Sequence, residues 1–135
     1  MKLNIPSNTT KISSNFLQQK EVEIFVKRDD LIHPIISGNK WRKLKYNFQI
    51  AKEKGYNTIL SFGGQYSNHL HALSFAAKKY GFNSIGIVRG DQIEINSTLS
   101  FCIEQDMILD YLNRSSYRNH KYSKNVINSF ICKYG

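Results

Sequence analysis

Two stretches of this 135-residue chain carry side chains whose types and spacing could do chemistry. The first is Ser37-Gly38-Asn39-Lys40-Trp41-Arg42-Lys43-Leu44, a short polar turn that runs into helical spacing with Lys40 at the junction. A lysine there can be aimed into a cleft. Its amine forms Schiff bases with carbonyl compounds once the surroundings favour the neutral form. A helix start is also an ordinary place for a solvated lysine. The second stretch is Ser61-Phe62-Gly63-Gly64-Gln65-Tyr66-Ser67-Asn68-His69. It follows an apolar, strand-like run and opens another helical pattern. A Gly-rich loop between a strand and a helix N-terminus presents free backbone N–H groups to phosphate or carboxylate. Ser67 and Asn68 would stand at that N-terminus. A plain tight turn has the same composition.

The elements that must position these residues follow from periodicity. Val22, Ile24 and Val26 alternate and predict a strand over Glu21–Arg28. Asp29 and Asp30 end it. Beside Lys27 and Arg28 they read as a salt-bridged turn more readily than as a metal or acid/base pair. From Asn39, the residues Trp41, Leu44, Phe48 and Ala51 make one apolar stripe of a helix that Gly55 stops. Thr58–Phe62 is a short apolar run suited to a buried parallel strand. A helix follows from Ser67 to Tyr80, with Leu70, Leu73, Ala77 and Tyr80 on its stripe, and Gly81 closes it. Ser84–Arg89 is the next strand, Ser97–Gln105 a helix with Leu99, Cys102 and Ile103, and Met107–Leu112 a further strand. After a polar stretch, Val126, Ile127, Phe130 and Ile131 predict a short amphipathic helix. Strand and helix alternate throughout, which predicts an α/β fold: a parallel sheet with helices on both faces. Ligand loops of such sheets lie at the carboxyl ends of strands, where the Gly63-Gly64 loop falls. Residues 1–20 are polar, rich in Asn, Ser and Thr, and read as an irregular, mobile arm.

The stretches KRDD, SGNKWRKL and SFGGQYSNH, in this order and spacing, resemble the aminocyclopropane-carboxylate deaminase and D-cysteine desulfhydrase family. This is a group of pyridoxal phosphate enzymes with the tryptophan-synthase-β-like fold. The resemblance runs from about Val26 to about Tyr117. It implies that Lys40 is the Schiff-base lysine of pyridoxal 5'-phosphate and that Asn68 hydrogen-bonds the 3-oxygen of the cofactor ring. It implies that Ser67 meets the substrate carboxylate or takes part in proton removal or nucleophilic attack. His69, just inside the helix start, could touch substrate or cofactor, or could cap or pack. Gln65 and Tyr66 could line the same pocket. The implied reaction is a deamination or lyase reaction on a small amino acid, releasing ammonia and a 2-oxo acid.

By the same resemblance, residues 1–42 are the leading strip of the family's larger cofactor domain and residues 43–135 its smaller α/β domain. The family's second Gly-rich loop, which holds the cofactor phosphate, has no counterpart in this sequence. The expectation is therefore a truncated chain without turnover of its own, completed in a homodimer or by a C-terminal fragment. The alternative is a non-catalytic α/β module that keeps an anion-binding loop. Two local departures concern turns. Asn96-Ser97-Thr98-Leu99 stands where relatives tend to read Asn-Pro-Thr-Leu, and Asp106 stands where a glycine is expected.

Other functions fit less well. The net charge is +9, as in many nucleic-acid binders. Here the basic residues are spread along the chain without a sustained block, and the aromatic residues sit inside apolar patterns. A phosphate cofactor and carboxylate substrates would also be drawn by a positive field. His69 and His71 are two apart on a helix and point in different directions, so no metal site is expected. No apolar run approaches a membrane span, and the first fourteen residues have lysines but no apolar core of a secretory signal. Their basic and hydroxylated residues leave organelle targeting open. Cys102 reads as core and Cys132 as exposed, with no disulfide framework. The expected compartment is the reducing cytoplasm.

Overall fold

The structure is a computed structural model that describes residues 2–91 and 94–134. The chain forms two compact units, one ending at Tyr56 and one beginning at Asn57.

In the first unit, strand β1 (Thr9–Ile12) pairs antiparallel with β2 (Ile24–Lys27), in a register from Thr9↔Lys27 to Ile12↔Ile24. The short helix α1 (Asn15–Gln19) lies between them, and Ser14 caps it by accepting from the Leu17 amide at 3.2 Å. The expectation that residues 1–20 are irregular therefore fails. Every residue of both strands is exposed. An exposed ribbon needs no alternation of polar and apolar side chains, so Thr-Thr-Lys-Ile carried no strand signal. The pairing also places β2 in a sheet of its own, apart from the parallel one.

A single 3-10 turn (Asp29–Leu31) follows β2. Both aspartates are ion-paired there, as their basic neighbours suggested. Asp30 receives Arg28 at 2.7 Å, and Asp29 receives the more distant Arg42 at 3.0 Å. Helix α2 (Asn39–Glu53) buries Trp41, Leu44, Phe48 and Ala51, the stripe read from the spacing. It is entered through Gly38 at φ 60°, a conformation that side chains with a Cβ seldom adopt.

The second unit is built on a three-stranded sheet in the order β3 (Thr58–Gly63), β4 (Asn83–Arg89), β5 (Met107–Leu112), with both pairs parallel. The crossovers are α3 (Asn68–Tyr80) and α4 (Ser97–Glu104). Two further helices, α5 (Arg114–Asn119) and α6 (Lys124–Tyr134), follow β5. Sheet residues alternate between the faces. Ile85 and Ile87 pack with Phe130, Val126 and Tyr134 of α6, and Leu60, Phe62 and Leu112 join them. On the opposite face a Cβ at Gly86 would lie 2.8 Å from the Met107 sulfur and 3.4 Å from a Leu70 methyl, so α3 closes down on β4 there. Leu70, Ala72, Leu73, Ala76 and Ala77 are fully buried, and the small alanines let the helix approach. The sheet thus carries helices on both faces, and the α/β fold class expected from the alternation holds.

Asp110 on β5 ties α6 down by accepting from Lys133 and Tyr134, each at 2.9 Å. Those partners hold its carboxyl below the usual range against the opposing effect of burial. Helix α5 lies in a polar stretch that carried no periodic signal. Its start is set by Asn113, whose side chain accepts from the Ser116 amide at 2.8 Å. Cys102 is buried and Cys132 exposed, as expected. No helix among the described residues is long and apolar enough to cross a membrane.

Candidate active site and anion cleft

Lys40 occupies the first turn of α2, in the unit that ends at Tyr56. Its amide donates to the Ser37 carbonyl at 3.3 Å and its Nζ to Asn39 Oδ1 at 2.7 Å. No carboxylate is paired with it among the described residues. Arg42, two residues on, is turned to Asp29 instead. Ser7 also donates to Asp29, and these two partners hold its carboxyl at about 2. The basic side chains around Lys40 thus differ in role: Arg42 anchors a turn, while the Lys40 amine has, among the described residues, a neutral amide oxygen as its side-chain partner.

Ser67, Asn68 and His69 stand together in the unit that begins at Asn57. Ser67 is the N-cap of α3, and its hydroxyl accepts from the Leu70 amide at 3.2 Å. That contact uses an oxygen lone pair and leaves the hydroxyl proton to be donated elsewhere. Asn68 is exposed, and its side chain makes no hydrogen bond among the described residues. His69 is half-buried, and its Nε2 lies 2.9 Å from Ser61 Oγ on β3. The ring is therefore engaged by the strand beneath it. His71 stacks on Phe101 with centroids 3.9 Å apart, and burial lowers its pKa.

The two glycines of the loop have different tasks. A Cβ at Gly63 would come within 2.6 Å of both Leu70 Cγ and Ser67 Oγ, whereas one at Gly64 would meet nothing within 4 Å. Gly63 is thus a packing glycine that lets α3 and its cap close on the strand. Gly64 leaves its backbone open to the outside. The sequence placed Asn96 in a turn but did not show its tie to the loop. Its Oδ1 accepts from the Leu99 amide at 3.0 Å, capping α4, while its Nδ2 donates to the Gln65 carbonyl at 3.0 Å. One side chain thus sets the start of a helix and holds the loop. Asparagine before a helical pattern is an N-cap signal, but nothing in the sequence shows where its amide nitrogen points.

A cleft of about 410 Å³ opens at this end of the sheet, lined by Gly64, Gln65, Tyr66, Ser67, Arg89 and Arg114. Gln65 and Tyr66 therefore line the loop's pocket, as the sequence suggested. Asn68 and His69 are not among its lining residues. The arginines were not foreseen. Arg89 ends β4 and Arg114 opens α5, and the Gly90 amide donates to the Leu112 carbonyl at 2.9 Å, which ties these two segments together.

A Gly-rich loop, a capped helix start and basic side chains thus lie at the carboxyl ends of the strands, the edge at which open parallel α/β folds take their ligands. Comparison with known proteins narrows the class. No family model matches the chain. The Pyrococcus abyssi protein named "Putative 1-aminocyclopropane-1-carboxylate deaminase" is 40% identical over 72 residues, 53% of this chain and 22% of that protein. The rice protein named "Putative D-cysteine desulfhydrase 2, mitochondrial" is 30% identical over 92 residues, 68% of this chain and 23% of that protein. A crystal structure of an ACC deaminase homologue superposes with a TM-score of 0.75 at 25% identity, covering 98% of this chain and 41% of that one. The chain is thus related, over the part it shares, to the aminocyclopropane-carboxylate deaminase and D-cysteine desulfhydrase family. It spans about a quarter of the length of the curated relatives it matches.

Proposed function

We infer that this chain supplies part of the active site of a pyridoxal-phosphate-dependent lyase or deaminase, one that breaks a small amino acid down to ammonia and a 2-oxo acid. Aminocyclopropane carboxylate and D-cysteine are the two substrate precedents, the latter also losing its sulfur as sulfide by β-elimination. The observation that carries this reading is the Ser67-capped start of α3 at the carboxyl end of β3, with Asn68 open beside it, in a chain whose relatives bear those names.

The residues present fit the cofactor. A primary amine without a carboxylate partner, at Lys40, suits covalent attachment. An uncommitted carboxamide, at Asn68, suits a ring oxygen. When bound, pyridoxal phosphate serves as the electron sink for bond breaking next to the amino group. Lys40 Nζ is the group to carry protons to and from the substrate beside the bond that breaks. Ser67 Oγ, with its lone pair turned to the Leu70 amide, donates to the substrate carboxylate, and the backbone N–H groups behind it carry the helix's positive end. Asn96 holds the loop still while this happens. His69 supports the helix start through Ser61. In the family's terms residues 1–42 would belong to the cofactor domain and residues 43–135 to the smaller domain.

Borohydride reduction of the full chain in the presence of pyridoxal phosphate, followed by peptide mapping, tests this reading. The label should fall on Lys40 in preference to the other lysines, and Lys40→Ala should lose the visible absorption band that the bound cofactor gives. Uniform labelling of surface lysines would overturn it and leave the second reading, a non-catalytic α/β module that holds an anion at the loop. The arginines lining the cleft are the observation that favours that alternative.

A further inference from the structure

The five arginines of the chain divide into two kinds. Arg28 and Arg42 are paired with Asp30 and Asp29. Arg89, Arg114 and Arg118 have no carboxylate partner among the described residues, and all three line cavities at one edge of the second unit. Beside the cleft at the glycine loop lies a second cavity of about 350 Å³, lined by Arg89, Arg114, Ser115, Arg118 and Asn119. The two share Arg89 and Arg114, so they adjoin at these side chains.

Backbone geometry makes this convergence firm. Arg89 is in register with Leu112 across the β4–β5 pair, and the Gly90 amide bonds the Leu112 carbonyl. Asn113 then caps α5, which puts Arg114 in its first turn, close to the end of β4. Arg118 follows four residues later on the same helix face. Like charges gathered in this way repel one another; Asp110 is engaged by Lys133 and Tyr134, and the exposed Asp91 and Glu94 that follow β4 are not ion-paired with any of the three. A single carboxylate is satisfied by one guanidinium fork. Three forks, in a cavity that Ser115 and Asn119 also line, match a group with more oxygens and a charge near −2. The volume reaching to the Gly64–Ser67 turn leaves room for the rest of a small molecule.

We propose that Arg89, Arg114 and Arg118 form a binding site for the phosphoryl group of a small molecule, in the depression between the end of β4 and α5. The site lies wholly in the second unit and involves neither Lys40 nor Asn68, so it stands whether or not the cofactor reading holds.

Calorimetric titration of the full chain with inorganic phosphate, pyrophosphate and succinate, at low ionic strength, tests it. The two phosphate probes should bind, pyrophosphate more tightly, with succinate clearly weaker. Arg114→Ala combined with Arg118→Ala should lower phosphate affinity about tenfold or more. The paired Arg114→Lys and Arg118→Lys substitutions keep the charge and guard against a folding defect. They should lose most of the same affinity, because an ammonium lacks the fork. Lys40→Ala and Arg28→Ala should bind phosphate as the unaltered chain does. Absence of phosphate binding would overturn the proposal. So would equal affinity for succinate, unchanged affinity in both paired variants, or an equal loss in Arg28→Ala. Loss in Lys40→Ala alone would instead assign the phosphate to the cofactor lysine.

Discussion

Asn96 Nδ2 donates to the Gln65 carbonyl at 3.0 Å while Asn96 Oδ1 accepts from the Leu99 amide at the same distance. The two functions of this amide can be separated. Asn96→Asp keeps an acceptor for the cap and loses the donor to the loop. It should leave the melting temperature close to that of the parent chain while weakening anion binding at the Gly64–Ser67 turn. Asn96→Ala removes both and should cost about 1–2 kcal/mol of stability. If Asn96→Asp leaves loop hydrogen exchange and anion affinity untouched, the tie to Gln65 has no influence on the site.

Gly63 and Gly64 should respond differently to alanine, although the sequence suggested one role for both. At Gly63 the added carbon meets Leu70 and the Ser67 hydroxyl, so Gly63→Ala should destabilise by about 1–3 kcal/mol and disturb the cap. Gly64→Ala enters open space and should stay within about 0.5 kcal/mol. A β-branched residue at Gly64 is the better probe of the anion site, since it narrows the approach to the backbone without touching the core. Thermal melts of the two alanine variants decide the point, and equal melting temperatures would contradict the packing role.

Asp106 sits at φ 63°, in the left-handed region, at the turn from α4 into β5. The glycine expected there would adopt this conformation freely, whereas aspartate tolerates it with some strain. Its exposed pairing with Lys78 at 3.0 Å adds little in return. Asp106→Gly should therefore raise stability by up to about 1 kcal/mol, read as a shift of the chemical-denaturation midpoint. A lower midpoint would mean that the Lys78 pair outweighs the backbone strain.

Asp29, held at about 2 chiefly by its hydrogen bond from Arg42 and then by Ser7, supplies a pH-dependent contribution. Its folded pKa lies below the ordinary carboxylate value, so the unfolded chain takes up the proton first as pH falls. The stabilisation is complete above about pH 4 and declines toward pH 2. NMR titration of the Asp29 carboxyl should give the low midpoint in the parent chain and a higher one in Arg42→Ala. Matching midpoints would remove Arg42 as the cause.

How far the sequence disclosed this architecture depended on whether a residue's role shows in periodicity. The stripe Trp41, Leu44, Phe48 and Ala51 was legible because burial on one helix face imposes its spacing. Strands β3, β4 and β5 were legible as short, largely apolar runs set off by polar residues and glycine, although only β4 is buried along its length. Strand β1 was not, because exposure on both faces removes the alternation. The place of Ser67 and Asn68 at the start of α3 was legible from motif and position. The arginine cluster was invisible, since Arg89 and Arg114 are brought together by a strand register, Arg89↔Leu112, that no local pattern encodes. Asn96 was read as part of a departure from a familiar turn. In the structure Ser97 occupies the first helical position, where proline is common but not required, so the helix start survives the change.

The order of strands in the second unit has a consequence for how the chain acquires its structure. Spatial order follows chain order, β3-β4-β5, so each strand's partner is always the one made just before it. The pairing residues Thr58 and Asn83 are 25 positions apart (83 − 58), and Ser84 and Met107 are 23 apart (107 − 84). No strand must be inserted between two already formed. During synthesis β4 can therefore dock on β3 as soon as α3 has coiled between them, and β5 can dock on β4 by the same step repeated. Growth by successive short closures keeps loop-closure entropy low at every stage. The basic depression takes shape only after the three strands, because Arg114 and Arg118 emerge once the sheet that carries Arg89 has been laid down.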